Sequence, residues 1–341
     1  MLRRNGRIVL LIGKIVDDFL VVGLPEAFKW FSSCMHQRFK IVTETYTSEQ
    51  LRFNGGIIEQ AKDSSIKLSM QEFANSIERF DLDRPRRKQT EAQATANELR
   101  AYQSLAGKMN WLGHTAVPQY AFAASYLQQN VGDLKVKHLL QANGVLREAQ
   151  KTIPRIVFGK QLPMNSACLT AFADAAFPKV DGSVYAQTGI VCGLVIGKGP
   201  RAAFHPRAWS SHKQRRVSRA ASAAEILSIA EAVDFGLAIK TALERILDKQ
   251  IHFELNVDSR SLFETITTQH ESNDFRLRQA VQSIRESFER GEISVLRWIP
   301  GKVNPADALT KRNSATAATL NEMVATGRLC VDYSTGVAST D

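Results

Sequence analysis

The spacing of apolar and polar positions changes several times along the chain, and the changes divide it into elements. Residues 7–23 predict two short strands, RIVLLIG and FLVVG, with Asp17 and Asp18 at the turn between them, so that a hairpin carries two carboxylates at its tip. Residues 25–39 have apolar residues at helical spacing, with Pro25 suited to a first turn. LRFNGGIIEQ and IKLSM predict a second small hairpin, and residues 70–80 an amphipathic helix. Residues 81–98 are polar, lack an apolar period and read as a loop or linker. Helical patterns return over 99–114, 118–131 and 135–151, and the two prolines of TIPRIVFGKQLPMNSA then mark a boundary.

Beyond that boundary the pattern changes to strands alternating with helices. ACLTAFADAAF predicts a strand ending near Asp174, followed by strands in AQTGIVCGLVIG and AAFHPRAWSS. Residues 218–247 are strong helix formers, with Ser218 as a plausible N-cap. IHFELNVD predicts a strand ending at Asp258, DFRLRQAVQSIRESFERG an amphipathic helix, and ISVLRWIP a strand, after which NPADALTKR opens a last helix. The order β-β-β-α-β-α-β-α is that of a mixed α/β domain with helices packed on a sheet.

A length of 341 residues suggests two or three domains. The net charge of +10, with a pI near 9.5, favours a polyanionic partner, nucleic acid first. Two basic stretches could meet phosphates: Arg84, Arg86, Arg87 and Lys88 in the linker, and Lys213, Arg215, Arg216 and Arg219 before the long helix. A solvated connector or loop would account for each equally well. The four cysteines are scattered and form no CxxC pair, which argues against zinc or a disulfide framework and suits a reducing compartment. No apolar run approaches the ~18 residues of a membrane span, so no membrane partner is expected. The basic start MLRRNGRIVLLIG leads into Asp17 and Asp18 without a small-residue cleavage site. The expected location is therefore intracellular, cytoplasmic or nuclear, and not secreted.

Four acids of the second half share a kind of position. Asp174 and Asp258 end strands, Glu225 lies in the first two turns of the long helix, and Asp307 lies in the first turn of the last one. Singly, each would be a surface charge or a helix-dipole partner. Held together they would repel unless cations neutralised them. Mg²⁺ is the hard, oxygen-liganded cation commonly found at phosphate substrates, and two such ions can clamp an in-line displacement.

These residues carry a resemblance. In chain order, IVDDFLVVG, LRFNGGIIEQ, IKLSMQEFANSIERF, YQSLAGKMNWLGHTAVPQYAFAASYLQQNV, FADAAF, SRAASAAEILSIAEA, VDSRSLF and WIPGKVNPADALTK resemble segments of copia-type retrotransposon polyproteins. The resemblance covers about residues 8–312 and corresponds to the end of a reverse transcriptase followed by an RNase H domain, PADALTK being its most specific motif. It implies that Asp174, Glu225, Asp258 and Asp307 are catalytic, metal-binding positions for two Mg²⁺ ions, with Mn²⁺ as an alternative. It also implies that Asp17 and Asp18 are the adjacent carboxylates of a polymerase palm. The fingers and the third palm aspartate have no counterpart, so polymerase activity is not expected of this chain alone. Ala176 and Ala223 stand where the family carries further acids. No histidine follows residue 270, so the histidine assistance frequent in RNases H is missing or taken over by Lys302.

The expected architecture is α/β and α+β. Residues 1–80 form a palm remnant, 81–160 a helical thumb or connection, 165–315 an RNase H-like domain with a mixed five-stranded sheet and flanking helices, and 316–341 a tail. The expected reaction is hydrolysis of the RNA strand of an RNA·DNA hybrid, with other parts of the element's polyprotein as further partners. Two alternatives stay open: a non-catalytic relic that binds nucleic acid, and an integrase-like DNA strand transferase. The latter usually has its glutamate last in chain order, whereas Glu225 comes second here.

Overall fold

Three sheets form in the computed structural model, which describes residues 1–41, 50–151, 153, 155–159, 166–177, 185–197, 199, 201–268, 275–312, 314–331 and 336–339. Strands β1 (Leu2–Arg4), β2 (Arg7–Ile15) and β3 (Asp18–Gly23) make an antiparallel ribbon, and helix α1 (Pro25–Arg38) packs on it. Only Val9, Leu10 and Ala27 are fully inside that small core. Among the described residues Arg3 ties it to the rest, its guanidinium donating to Asp248 and to the carbonyls of Arg245 and Ile246. Those carbonyls belong to the open end of a long helix, where a cation is favoured.

A second sheet joins β4 (Leu51–Phe53), β5 (Gly56–Gln60), β6 (Ile66–Ser69) and β7 (Ile156–Phe158). The expected boundary at 152–167 therefore contains a strand that returns to pair with β6; its residues 160–165 lie outside the described residues. The helix expected over 70–80 is shorter, α2 (Gln71–Asn75). The polar stretch 81–98 is also more ordered than its composition suggests. Asp83 accepts from the backbone N–H of Arg86 and starts α3 (Arg84–Lys88). Thr95 and Glu98 form a capping box that starts α4 (Ala96–Thr115). Arg86 bridges the two starts, with two nitrogens on the Glu98 carboxylate at 2.7 and 3.0 Å. Helices α5 (Ala121–Gln129) and α6 (Val136–Lys151) complete the connection.

The third sheet has six strands in the order β10-β9-β8-β11-β12-β13, not five. Strands β8 (Ala167–Ala176), β9 (Gln187–Ile196) and β10 (Ala203–Lys213) form an antiparallel meander. Strands β11 (His252–Val257) and β12 (Val295–Trp298) add in parallel, and β13 (Val337–Ser339) closes the far edge antiparallel. One face packs under α7 (Ala221–Leu247), α8 (Arg260–Thr267) and α9 (Phe275–Glu289) through Leu169, Ala171, Cys192, Leu194, Phe253 and Leu255. The other face packs Phe172, Val191, Phe204 and Trp209 into the core of the connection helices. Burial on both faces explains why β8 and β9 read as continuous apolar runs.

Residues expected as a tail contain α10 (Ala317–Thr326), whose Leu320, Met323 and Val324 enter that same core, and β13. Ser218 is not the cap of α7, which begins after Ala220; its hydroxyl is buried and donates to Gln214. Residues 305–309 form a 3-10 turn rather than the start of an α-helix.

The hydrogen bonds from Arg86 hold the Glu98 carboxyl down to about 2. A carboxyl held below its unfolded value stabilises the fold above the unfolded value, and that contribution is lost as pH falls through the folded one. Arg86→Ala is expected to lower the urea midpoint of unfolding at pH 7. It should also remove part of the stability loss between about pH 4.5 and 2.

Candidate active site

Strand β8 sits at the point where the sheet reverses direction of growth: β9 and β10 follow on one side, β11 and β12 on the other. In open sheets with parallel strands, the crevice beyond the carboxyl ends at such a point is where ligands bind. β8 and β11 run parallel, with Asn256 beside Phe172. Continuing that register two residues brings Asp258 beside Asp174. Helix α7 crosses these strand ends, and Asp174, Glu225 and Asp258 line one narrow cleft together with Ala173, Val257 and Ser259.

Neutral donors fix each acid. Ser228, one turn beyond Glu225 on α7, donates to the backbone carbonyl of Asp174 at 2.7 Å. Ser259 lies beside Glu225 in the cleft and helps to hold its carboxyl down against burial. The Trp298 indole donates to the Asp258 carbonyl at 3.0 Å. Asn304 is fully buried, donates to the Ala173 carbonyl at 2.9 Å, accepts from the backbone of Ala306, and lies close enough to the Asp258 carboxyl to lower it against burial. It thereby ties both strand ends to the turn that carries Asp307. Thr310, just after that turn, donates to the Asp174 carboxylate. Asp307 accepts from Ser314 and from the Lys311 ammonium.

The turn reaches the sheet because of a glycine. Gly189 is the β9 partner of Asp174. A Cβ there would stand 2.5 Å from the Ala306 carbonyl oxygen and 2.7 Å from the Thr310 methyl. An isolated glycine within a strand pattern is the signal that would have pointed to this close approach.

The electrostatics follow from burial and crowding. Burial, then the neighbouring Asp258, pushes the Asp174 carboxyl up to about 6. Burial likewise raises Glu225 and Asp258, to which the fields of Asp174 and Glu225 add respectively. Among the described residues, no three His, Cys, Asp or Glu side chains stand close enough to hold one ion as placed. The donor set nonetheless suits a hard divalent cation: it is oxygen only, and its like charges drive up one another's pKa. The cation that meets the acids in this arrangement is Lys311. Lys302, expected to substitute for a histidine, is exposed in the turn Gly301–Val303.

The other expected site residues lie elsewhere. Asp17 and Asp18 are exposed at the tip of the β2–β3 hairpin. In the linker cluster, Arg86 is committed to Glu98 and Arg87 donates to the Leu82 carbonyl, while Arg84 and Lys88 are exposed. Lys213, Arg215, Arg216 and Arg219 are all exposed, on a loop held from within. The buried Gln214 donates to Thr188 and to the carbonyl of Ala224, and accepts from Ser218. That loop is therefore anchored to the residue preceding Glu225.

No family model matches the sequence, and no curated protein does. Among solved structures, RNase H1 from Halobacterium salinarum NRC-1 is similar at 20% identity over 43% of this chain and 96% of its own, with a TM-score of 0.31. LC11-RNase H1, solved in complex with an RNA/DNA hybrid, is similar at 18% identity over 45% and 99%, with a TM-score of 0.32. The N-terminal RNase H domain of a Mycobacterium tuberculosis protein gives 18%, 45%, 96% and 0.31 in the same order. These scores are too low to carry a functional argument, which rests on the side chains.

Two outcomes test the site without assuming its activity. In the metal-free protein, Asp174 binds its proton more tightly folded than unfolded. Stability should therefore fall as pH rises from about 4 to about 6, and Asp174→Asn should flatten that fall in denaturant titrations. Gly189→Ala should cost about 1–3 kcal/mol by overpacking the turn against β9, read as a lower urea midpoint.

Proposed function

We propose that this chain is an RNase H-type endoribonuclease that hydrolyses the RNA strand of RNA·DNA hybrids, within a fragment of a copia-type retrotransposon reverse transcriptase. The observation that carries the reading is the meeting of Asp174 and Asp258 at adjacent parallel strand ends, with Glu225 across the cleft and Asp307 on the turn laid over Gly189. The order of the quoted motifs supports the retrotransposon context, with other parts of the polyprotein as partners and no polymerase activity from this chain alone.

Asp174, Glu225, Asp258 and Asp307 would hold the divalent cations, Mg²⁺ or Mn²⁺. When bound, such ions polarise the scissile phosphate and lower the pKa of the attacking water. The protein's own part is positioning. Asn304 and Thr310 orient two of the acids, and Ser228 sets the distance between α7 and β8. Arg215, Arg216 and Arg219 lie one loop away from Glu225, suited to the backbone phosphates of a bound strand. RNA would be told from DNA by 2′-hydroxyl contacts across the shallow minor groove.

Asp258→Asn keeps the side chain's shape and removes one charged ligand. Cleavage of a labelled hybrid in Mg²⁺ should drop by orders of magnitude. Glu231→Gln is the control: Glu231 is half-exposed, pairs with His212 2.9 Å away, and lies outside the cleft, so cleavage should change little. Equal cleavage by Asp258→Asn and the parent would refute the mechanism. Cutting of DNA ends with no RNA present would favour strand transfer instead.

A further inference from the structure

The acid cluster carries its own cation. Lys311 stands four residues after Asp307, and its ammonium forms a hydrogen-bonded ion pair with Asp307 Oδ1. Among the described residues it is the one basic side chain ion-paired to any of the four acids. The pair is asymmetric: the Lys311 side chain is 50% exposed, whereas that of Asp307 is 15% exposed. Thr310, its neighbour, is buried and locked onto the Asp174 carboxylate. The backbone of Lys311 is thus fixed at the cleft while its flexible stem is free to turn to solvent. Its charge also reaches the other acids, drawing down the Asp174, Glu225 and Asp258 carboxyls against the burial that raises them.

We infer that Lys311 is a resident counter-ion of the site, which holds the acid cluster together when no metal is bound and competes with the divalent cation for Asp307. This rests on the reading of the four acids as a metal site. The physical argument is one of charge. An ammonium on Asp307 occupies a lone pair that a metal ion would use, and it repels a doubly charged ion arriving at the same carboxylates. To bind the ion, the protein must release Lys311 to water. The long, half-exposed stem makes that release a rotamer change rather than a refolding. Lys311 therefore sets how much divalent cation the site needs, and it is a positioning residue, not a catalytic one.

The test is binding of Mn²⁺ and Mg²⁺ to the full chain by calorimetry at one pH, with the metal-free melting temperature as a second readout. Lys311→Gln removes the charge and keeps a polar side chain, and Lys311→Arg keeps the charge. Lys311→Gln should bind Mn²⁺ on the order of tenfold more tightly than the parent. It should also melt lower without metal, with the gap closing at saturating metal. Lys311→Arg should resemble the parent in both. Equal or weaker metal binding by Lys311→Gln would overturn the inference while leaving the metal site in place. A parent chain whose Mn²⁺ binding is unaffected by Asp258→Asn would overturn the metal-site reading, and this inference with it. If Lys311→Gln is unfolded without metal, Mn²⁺ should refold it to the melting temperature of the metal-saturated parent, and failure to do so would overturn the inference.

Discussion

Strand β8 is buried on both faces and its parallel neighbour β11 on the face under α7, and the arrangement of the acids depends on that. Leu169, Ala171, Phe253 and Leu255 face one core, and Phe172 faces the other. A carboxylate inside such a strand needs a partner, as Glu254 of β11 has in Arg297 of β12 at 3.1 Å. Asp174, third from the end of β8, and Asp258, just past the end of β11, stand instead where the carboxyl ends of the strands open onto the cleft. Because the strands are parallel neighbours, those ends coincide. Helix α7 then brings Glu225 to the same place, since it packs over the strands it has to cover.

Gathering acids has an electrostatic cost, and the structure meets it mostly with neutral donors. Asn304, Thr310 and Ser228 each add a hydrogen bond without adding charge. The framework behind them extends through the second core. Gln187 on β9 donates to Ser125 of α5 and to Ser211 of β10, and Ser211 donates to the carbonyl of Leu309, the residue before Thr310. The connection helices are thus hydrogen-bonded, through a buried network, to the turn that holds Asp307. Breaking one member would leave a buried polar atom unpaired, which ties the geometry of the site to the docking of α5.

Much of this was legible in the sequence where the signal is local. Continuous apolar runs marked β8 and β9, alternation marked β11, and the acids near the ends of β8 and β11 were visible before any geometry. The long helix was read from its composition, and the capping box of α4 is present in TANE. What escaped depends on distant partners. β7 is a strand because β6 lies beside it, 87 residues or more earlier in the chain at each paired position. Ser218 had the residue type of a cap but found a better partner in buried Gln214. Helix α8 is short and follows directly on Asp258, where a strand end was the stronger signal. Asn304, Thr310 and Lys311 stood within the quoted PADALTK segment and its flank, yet nothing in one dimension shows that they reach Asp174, Asp258 and Asp307. Gly189 looked like an ordinary break in an apolar strand until the turn was laid across it.

The hairpin that carries Asp17 and Asp18 shows how little an acid motif settles without such a frame. Its turn places Val16 at a φ of 50° and leaves both carboxylates exposed. The ribbon behind them has a core of Val9, Leu10 and Ala27, and Val22, Leu24 and Trp30 remain exposed on it and its helix. Asp174 and Asp258 sit instead near the ends of strands packed into large cores, with the Thr310 hydroxyl on the Asp174 carboxylate and the Asn304 amide on the carbonyl of Ala173. The two acid sets have the same residue type and differ in preorganisation. The buried set carries its own repulsion and is held by packing and hydrogen bonds, whereas the set at the hairpin tip is exposed and, among the described residues, has neither.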